Sequence, residues 1–393
     1  MRHVGNNKMK NILLTVFIAT TVSMYANDGG IAIIGGAFHP VNIANVSMDY
    51  ERLNITCRKS YFKIEAYIEL YNHDGVTRPL LGFEFYEGNL SHWGNYNLHD
   101  NVNQFILLVN GRPQRFEYGV QDRADEIRLI HTLVYRPELN PGKNMVYHKL
   151  QLPYGFGSME GVVSYLLETS SRWKDGNIKN LEIFIRTEFS TILLIKEYPG
   201  YNTFYISSFD TIGESKLYQK YTHEPGGGHS NVDHEYYSLM PNGYLYKHIE
   251  NFVPNRNIQF QLLDFLGMEM YIQYDDPPYN WFPCDNPYIM IHDWKRYIEN
   301  PNFTRYRWGD SWRDDPWRPS ENMLEELSTE QLRILRNTLY AIRGYVFNDV
   351  FLRDYFNRQY WYFPNPNIAL NSIVLSAAEH RILRYILAEE NRR

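Results

Sequence analysis

Apolar and polar residues alternate along much of the first two thirds of the chain, which predicts β-strands. The clearest case is the run YFKIEAYIELYN at residues 61–72. Its alternation places one set of apolar side chains on a single face: Phe62, Ile64, Ala66, Ile68 and Leu70. Turn residues follow at 72–75, and a new apolar run begins at Leu80. This stretch therefore predicts two strands joined by a turn.

The same pattern recurs at residues 104–109, 181–186, 191–196 and 258–265. The first of these runs ends in Asn110-Gly111, a dipeptide typical of a hairpin turn. No long helical period separates the runs, which opposes alternating strand–helix units. We expect a mainly β fold with a β-sandwich-like body over residues 27–265, either as one unit or as two subdomains.

Near the C-terminus, apolar residues recur at the spacing typical of one face of an α-helix. Ser328 with Gln331 and Ser376 with Glu379 each predict a capping box at a helix start. Gly344 is placed to end the first helix. The expected apolar stripes are Leu332, Leu335, Leu339 and Ile342 in that helix, and Leu383, Ile386 and Leu387 in the last one. These signals predict a small all-α domain over residues 321–393, and we expect the segment from Leu327 to Arg393 to fold on its own.

The C-terminal helices carry two recognisable stretches, LSTEQLRILRNTLYAIRGYVF at 327–347 and YFNRQYWYFPNPN at 355–367. These two stretches resemble the YARHG domain of secreted bacterial proteins, and the motif that names the domain is YAIRG in this sequence. Ile342 and Arg343 stand where the motif has Arg and His. Residues 27–200, with TSSRWKDGNI at 169–178, resemble exported β-rich domains of unknown function. Both resemblances imply the bacterial envelope or exterior, and neither implies a reaction.

Two further segments complete the organisation. Residues 1–26 resemble a signal peptide, with Lys8 and Lys10 before a short apolar run, so we expect export to the periplasm or the exterior. No run is long enough for a transmembrane helix. Residues 266–320, rich in Trp, Tyr, Pro and Asp, predict an irregular connector packed against the domains. Cys57 and Cys284 lie in different segments, and their pairing stays open.

Amino-acid composition restricts the class of binding partner more than it restricts the type of reaction. The formal net charge of -6 over 393 residues shows no excess of basic residues of the kind that binds nucleic acid. Aromatic residues make up 16% of the chain, and tyrosine dominates them. Tyrosine favours half-buried strand surfaces, where the ring packs and the hydroxyl stays in water. This abundance predicts either ordinary sheet packing or an exposed contact surface.

Catalytic and metal-binding signals are weak. His223, His229 and His234 lie with several acids in HEPGGGHSNVDHE, and imidazole and carboxylate groups are adequate zinc ligands. The spacing matches no helical zinc motif, however, and three glycines favour a solvated loop. No nucleophile motif or phosphate loop is present. We expect no cofactor, and the sequence leaves enzymatic activity undecided while favouring its absence.

Aromatic side chains next to acids supply the candidate ligand-binding residues. Rings stack on sugar faces while carboxylates accept hydroxyl hydrogen bonds. The connector provides Trp308, Asp310, Trp312, Asp314 and Trp317. The helical domain provides Tyr340, Arg343, Tyr345 and Trp361. Packing within the connector and the helical core explains the same residues, and Arg343 also fits a cation at a helix end.

The sequence favours a non-enzymatic envelope protein that binds cell-wall glycan or another envelope component. Two alternatives stay open. A hydrolase acting on an envelope polymer would need converging carboxylates or a metal in a cleft. A structural partner in an envelope complex would need an exposed apolar patch.

Overall fold

The computed structural model describes residues 34–41, 45–59, 61–88, 105–123, 128–156, 161–165, 167, 173–197, 206, 208–221, 233–253, 258–264, 286–301 and 321–393. The predicted signal peptide and most of the predicted connector lie outside these residues. Within them, no helix combines the length and the apolarity needed to cross a membrane.

The strands of the described residues lie between residues 34 and 264. They are β1 (Ile34–Val41), β2 (Val46–Cys57), β3 (Tyr61–Asn72), β4 (Leu80–Gly88), β5 (Ile106–Val109), β6 (Arg112–Pro113), β7 (Glu117–Arg123), β8 (Arg128–Tyr135), β9 (Gly142–Pro153), β10 (Gly155–Phe156), β11 (Gly161–Tyr165), β12 (Ile178–Thr187), β13 (Thr191–Glu197), β14 (Asp210–Tyr221), β15 (Asp233–Phe252) and β16 (Ile258–Asp264).

Helices follow the strands. They are α1 (Pro287–Glu299), α2 (Thr329–Ala341), α3 (Val350–Asn357) and α4 (Ala377–Arg392), with 3₁₀ turns at Glu321–Glu326 and Leu370–Ser372. The predicted fold class, mainly β with a small helical C-terminal region, is confirmed.

Local sequence signals account for several of these elements. Strand β3 has the bounds of the predicted run, and the five apolar side chains of its predicted inner face are all fully buried. Asn110 and Gly111 both have positive φ, 50° and 74°, and join β5 to β6 as the predicted hairpin. Positive φ at both central residues is the geometry that Asn-Gly supplies at low cost.

All strands belong to one hydrogen-bonded sheet, and β15 determines its shape. The strand order is β6-β5-β9-β3-β2-β12-β15-β13-β16-β11-β1-β4-β8-β7, with β10 beside β11 and β14 beside β15. The 20-residue strand β15 pairs with β13 through residues 233–239 and with β12 through residues 244–252. Because β15 changes partner halfway along, the sheet divides into two arms. One arm runs in strand order from β12 to β6, and the other runs from β13 to β7.

The two arms face each other across a shared core. Tyr165 on β11 donates its hydroxyl to Glu51 on β2, at 3.1 Å. Phe83 on β4 packs against the ring of His148 on β9, with ring centroids 5.2 Å apart. These strands are distant in the sheet order, so their contacts require the sheet to fold back on itself. Burial lowers the pKa of His148 to about 3, which keeps this ring neutral in the core.

The thiol of Cys57 lies in the same core. It is fully buried and free, and burial raises its pKa to about 12. Cys284 lies outside the described residues.

The helical region packs directly on the sheet. Its core includes apolar side chains from β13, β15 and β16, namely Ile192, Leu194, Tyr236 and Leu263. Helix α1 joins the same core through Trp294, whose ring stacks on Tyr385 of α4 at 5.8 Å. A fragment beginning at Leu327 would lack both α1 and the sheet surface. The structure therefore opposes the prediction that this fragment folds alone.

Helix α1 is a departure from the irregular structure predicted for the connector. Asn286 accepts a hydrogen bond from the backbone N–H of Tyr288 and caps the helix, and Pro287 occupies the first turn. Proline is tolerated there because that N–H needs no helical partner. The prediction is wrong for residues 287–299, because a proline in the first turn does not oppose a helix.

Both predicted capping boxes are confirmed, at Ser328 with Gln331 and at Ser376 with Glu379. The predicted stripe of α4 is wrong in part. Ile382 and Ile386 are fully buried, whereas Leu387 is 37% exposed. The buried face also includes Glu379 and Glu389, whose carboxylates are paired with arginines, so apolar residues alone do not define this face.

The buried Glu51 carboxyl predicts a pH-dependent stability. Burial raises its pKa to about 7, with the Tyr165 hydroxyl opposing the shift. The folded state thus binds this proton more tightly than the unfolded chain. Its contribution is fully present below the ordinary pKa, declines as pH rises towards 7 and is lost above it. Relative to wild type, Glu51→Gln should gain about 3 kcal/mol of unfolding free energy between pH 4 and pH 8.

Urea unfolding across that pH range measures this difference. The exposed Glu250→Gln is the matched control and should follow the wild type. A Glu51→Gln variant with the same pH dependence as the wild type would contradict the prediction.

Candidate functional site

The face of the sheet that points away from the core is rich in rings and charges. It spans five adjacent strands, β9, β3, β2, β12 and β15. Register places Tyr147, Tyr67 and Arg52 in one row across three strands, and Phe184 pairs with Tyr246 in the next. We call this surface the outer face and define it by Tyr50, Arg52, Tyr67, Tyr147, Glu182, Phe184, Arg186, Tyr244 and Tyr246.

The rings of the outer face form two groups. Tyr67 and Tyr147 have centroids 4.9 Å apart, and the Tyr67 side chain is 40% exposed. Phe184 lies 4.9 Å from Tyr246 and 5.9 Å from Tyr244. Cross-strand aromatic pairs of this kind hold each ring in place. The sheet thus presents mutually packed, partly exposed rings.

Arginine side chains fill the space between the ring groups. Arg52 pairs in register with Tyr67 on one side and Glu182 on the other, and its guanidinium lies 4.4 Å from the centre of the Phe184 ring. Arg186 lies 4.9 Å from the ring of Tyr244. Among the described residues, Nε of Arg52 has no hydrogen-bond partner. Stacking fixes the plane of this guanidinium, and its Nε is buried.

Glu182 is the hydrogen-bonding centre of the second ring group. Its carboxylate accepts bonds from the hydroxyls of Tyr246, at 2.9 Å, and Tyr50. Burial alone would raise the pKa of Glu182, but these two bonds and the Arg52 charge outweigh it and lower the pKa. Burial and the Glu182 carboxylate raise the pKa of Tyr50 to about 12. At neutral pH the carboxylate is ionised and the Tyr50 hydroxyl keeps its proton.

Two lysines on this side of the sheet are paired with neighbouring glutamates. Lys63 lies 2.7 Å from Glu65, which also accepts the Tyr147 hydroxyl at 3.2 Å. Lys143 pairs with Glu69 on the neighbouring strand. The surface therefore carries many hydrogen-bonding groups without a large excess of either charge.

Several residues predicted from the sequence cannot be placed. Trp308, Asp310, Trp312, Asp314, Trp317, His223 and His229 lie outside the described residues. His234 lies on β15, opposite Lys196 and Tyr221 of the neighbouring strands. Within the part of the chain that the structure describes, no group of His, Cys, Asp and Glu side chains is arranged to hold a metal ion.

The YAIRG motif ends helix α2 and joins it to α4. The Arg343 guanidinium donates to the carbonyl of Leu339 and to the Glu379 carboxylate, both at 2.7 Å. Gly344 has a φ of 81°, and a Cβ there would lie 2.7 Å from the carbonyl oxygen of Phe363. Only glycine adopts this conformation and this approach without strain. Of the two predicted roles for Arg343, these contacts favour the helix-end cation.

The aromatic candidates of the helical region pack within it. Trp361 is 3% exposed, donates its indole N–H to Asn286 and stacks on Tyr288 at 5.0 Å. Tyr345 packs edge-on against Phe347 at 5.0 Å, and Tyr340 lies half-buried against the same core. The structure does not bring these residues together on an open surface, and the burial of Trp361 leaves its ring little surface for a ligand.

The outer face was not predicted as a site, although its signal is visible in the sequence. The polar positions of the alternating run at β3 include Tyr61, Tyr67 and Tyr71. Tyrosines at solvent-facing strand positions mark an aromatic surface. The neighbouring strands that complete it are distant in sequence, so no local motif identifies the whole.

Comparison with known proteins identifies the C-terminal region. The YARHG domain model matches residues 318–391, so the chain contains a YARHG domain, as the motif predicts. YARHG domains occur in exported bacterial proteins. A search of curated proteins gave no match.

Similarity to solved structures is distant. A Legionella pneumophila crystal structure, provisionally described as a nutrient-binding protein, has 16% identity and a TM-score of 0.43, covering 92% of this chain and 100% of that one. Yeast LTA4 hydrolase in complex with bestatin has 6% identity and a TM-score of 0.21, covering 59% of this chain and 32% of that one.

The contacts of Arg343 predict a structural role for the motif. Arg343→Met should lower the free energy of unfolding by about 1–2 kcal/mol, because the Glu379 carboxylate, only 6% exposed, loses its cation. Arg384→Met, at an exposed position of α4, is the matched control and should change stability little. Chemical denaturation measures both. Equal effects in the two variants would contradict a structural role.

Proposed function

We propose that this protein is a non-enzymatic binding module of the bacterial envelope, and that its outer face binds cell-wall glycan. One observation carries the proposal. Packed, partly exposed rings on one sheet surface lie beside the Arg52 guanidinium and the Glu182 carboxylate. The YARHG domain supports the envelope as the location.

The two kinds of group have complementary roles in binding a sugar. The apolar faces of pyranose rings stack on aromatic side chains such as Tyr67 and Tyr147, which bring large contact area at small entropic cost. The Arg52 guanidinium and the Glu182 carboxylate then donate to and accept from hydroxyl and amide groups. Because the network already fixes these side chains, little further ordering opposes binding.

Charge supports a glycan over a polyanion. Lys63 and Lys143 are neutralised by neighbouring glutamates, and the net charge of the chain is -6. A polyanion would need an excess of unpaired cations. A largely uncharged chain of sugars needs stacking surfaces and hydrogen bonds instead.

The tryptophans and aspartates of the connector are the second glycan contact that we propose. Trp308, Trp312 and Trp317, with Asp310 and Asp314, retain this proposed role. Substitutions in the outer face and in the connector, compared in one assay, measure the share of each.

Substitutions on the outer face should weaken glycan binding. Tyr67→Ala and Phe184→Ala should each reduce affinity by about three- to tenfold, because each removes a stacking ring. Binding is measured by pull-down on purified peptidoglycan and by titration with oligomers of N-acetylglucosamine. Tyr297→Ala, a partly buried tyrosine of α1, is the matched control. Thermal unfolding of each variant separates loss of binding from loss of fold.

Unchanged affinity in both outer-face variants would refute the role of this surface. A loss confined to Trp312→Ala would move the proposed site to the connector.

A further inference from the structure

A cleft of about 480 Å³ lies where the YARHG domain meets the edge strand β14. Glu214 and Lys216 of β14 form one side. Asn357 and the segment after α3, with Phe363, Pro364 and Asn365, form the other. We call this space the junction cleft. Its size falls within the range of small-molecule sites, roughly 300–1,000 Å³, and such sites favour domain interfaces.

Backbone constraints shape both walls of the junction cleft. Strand β14 bulges between Gly213 and Ser215, where Gly213 has a φ of 69° and a Cβ would lie 2.5 Å from the Asn242 carbonyl oxygen. The opposite wall is tied to the YARHG motif, since the Asn365 N–H donates to the Gly344 carbonyl at 2.8 Å. Bulges of this kind re-aim side chains beside functional sites. Backbone geometry in the folded protein therefore determines the positions of both walls of the cleft.

Lys216 is the cationic group of the cleft. Its ammonium donates to the carbonyl oxygens of Gln359 and Tyr362, the latter at 2.8 Å, and lies 5.0 Å from the centre of the Phe363 ring. These partners are neutral. In the described part of the chain no carboxylate pairs with this ammonium, and burial lowers its pKa to about 8.

A desolvated ammonium with neutral partners is incompletely compensated. Two of its three N–H groups bond to carbonyls of the described residues, which leaves one for a ligand. An anion that brings its own negative charge would recover the desolvation cost. Phe363 and Pro364 provide apolar surface beside this charge, and the Asn357 and Asn365 amides provide neutral hydrogen-bonding groups.

We propose that the junction cleft binds a small organic carboxylate, whose negative group pairs with Lys216 and whose apolar part packs on Phe363 and Pro364. A single cation with a glutamate on the same wall suits a monoanion. A doubly charged phosphate would meet too little positive charge and would be repelled by Glu214. This ligand differs from the glycan proposed for the outer face, and the lining of the cleft shares no residue with that face.

Benzoate and its neutral isostere benzamide test the charge requirement on the full chain. Calorimetric titration should show benzoate binding about tenfold more tightly than benzamide, because only benzoate forms a charge-assisted bond with the ammonium. Lys216→Met should weaken benzoate binding by about tenfold and leave benzamide binding unchanged. Equal binding of the two probes, or benzoate binding unaffected by Lys216→Met, would overturn the proposal.

A second variant covers the case in which loss of Lys216 disturbs the interface. Glu214→Gln removes a negative charge that repels benzoate, so it should tighten benzoate binding by about two- to fivefold. Glu330→Gln, at an exposed position of α2, is the matched control and should change nothing. Weaker benzoate binding in Glu214→Gln would overturn the proposal.

The outer-face variant Tyr67→Ala separates the two sites. It should bind benzoate as the wild type does, whatever its affinity for glycan. Loss of benzoate binding in Tyr67→Ala would place the probe on the outer face and refute the assignment to the cleft.

Discussion

The change of partner along β15 is the constraint on which the rest of the structure depends. One half of this strand pairs with β12 and the other with β13, so the sheet must turn at residues 240–243. Backbones approach closely at this turn, and a Cβ on Gly243 would lie 2.3 Å from the Glu214 carbonyl oxygen. Glycine permits that approach. The turn brings the two arms together around Glu51 and His148, and it leaves the opposite side of β9, β3, β2, β12 and β15 open to solvent.

The YARHG domain depends on the sheet as well as on its own helices. Its core takes in side chains from β13, β15 and β16, and Lys216 of β14 binds the backbone after α3. The motif residues work within this arrangement. Gly344 lets the chain leave α2 beside Phe363, and Arg343 binds the first turn of α4. The conspicuous motif thus holds the domain together and, through the segment at Phe363–Asn365, helps to form one wall of the junction cleft.

The two proposed sites differ because their electrostatic surroundings differ. On the outer face, Lys63 and Lys143 are paired with glutamates and rings are partly exposed, which suits an uncharged ligand held by stacking and hydrogen bonds. In the junction cleft, a desolvated ammonium is bonded only to neutral carbonyl groups, which suits a small anion. Both sites rest on strands that flank the turn of β15. Neither requires a motif with its own sequence signature, because each is assembled from side chains that ordinary strands present.

The sequence by itself determined the local elements. Alternation specified β3, Asn-Gly specified the β5–β6 hairpin, and two Ser-x-x-Gln/Glu boxes specified the starts of α2 and α4, because these features depend on residues only a few positions apart. The YARHG motif was recognisable for the same reason. Tertiary structure alone decided the order of the strands, the buried position of Trp361 and the collection of Tyr67, Arg52 and Phe184 on one face. The outer face depends on the pairing of β2 with β12, which are more than a hundred residues apart in the chain. A periodicity determines which residues share a face of one strand but not which strand lies beside it.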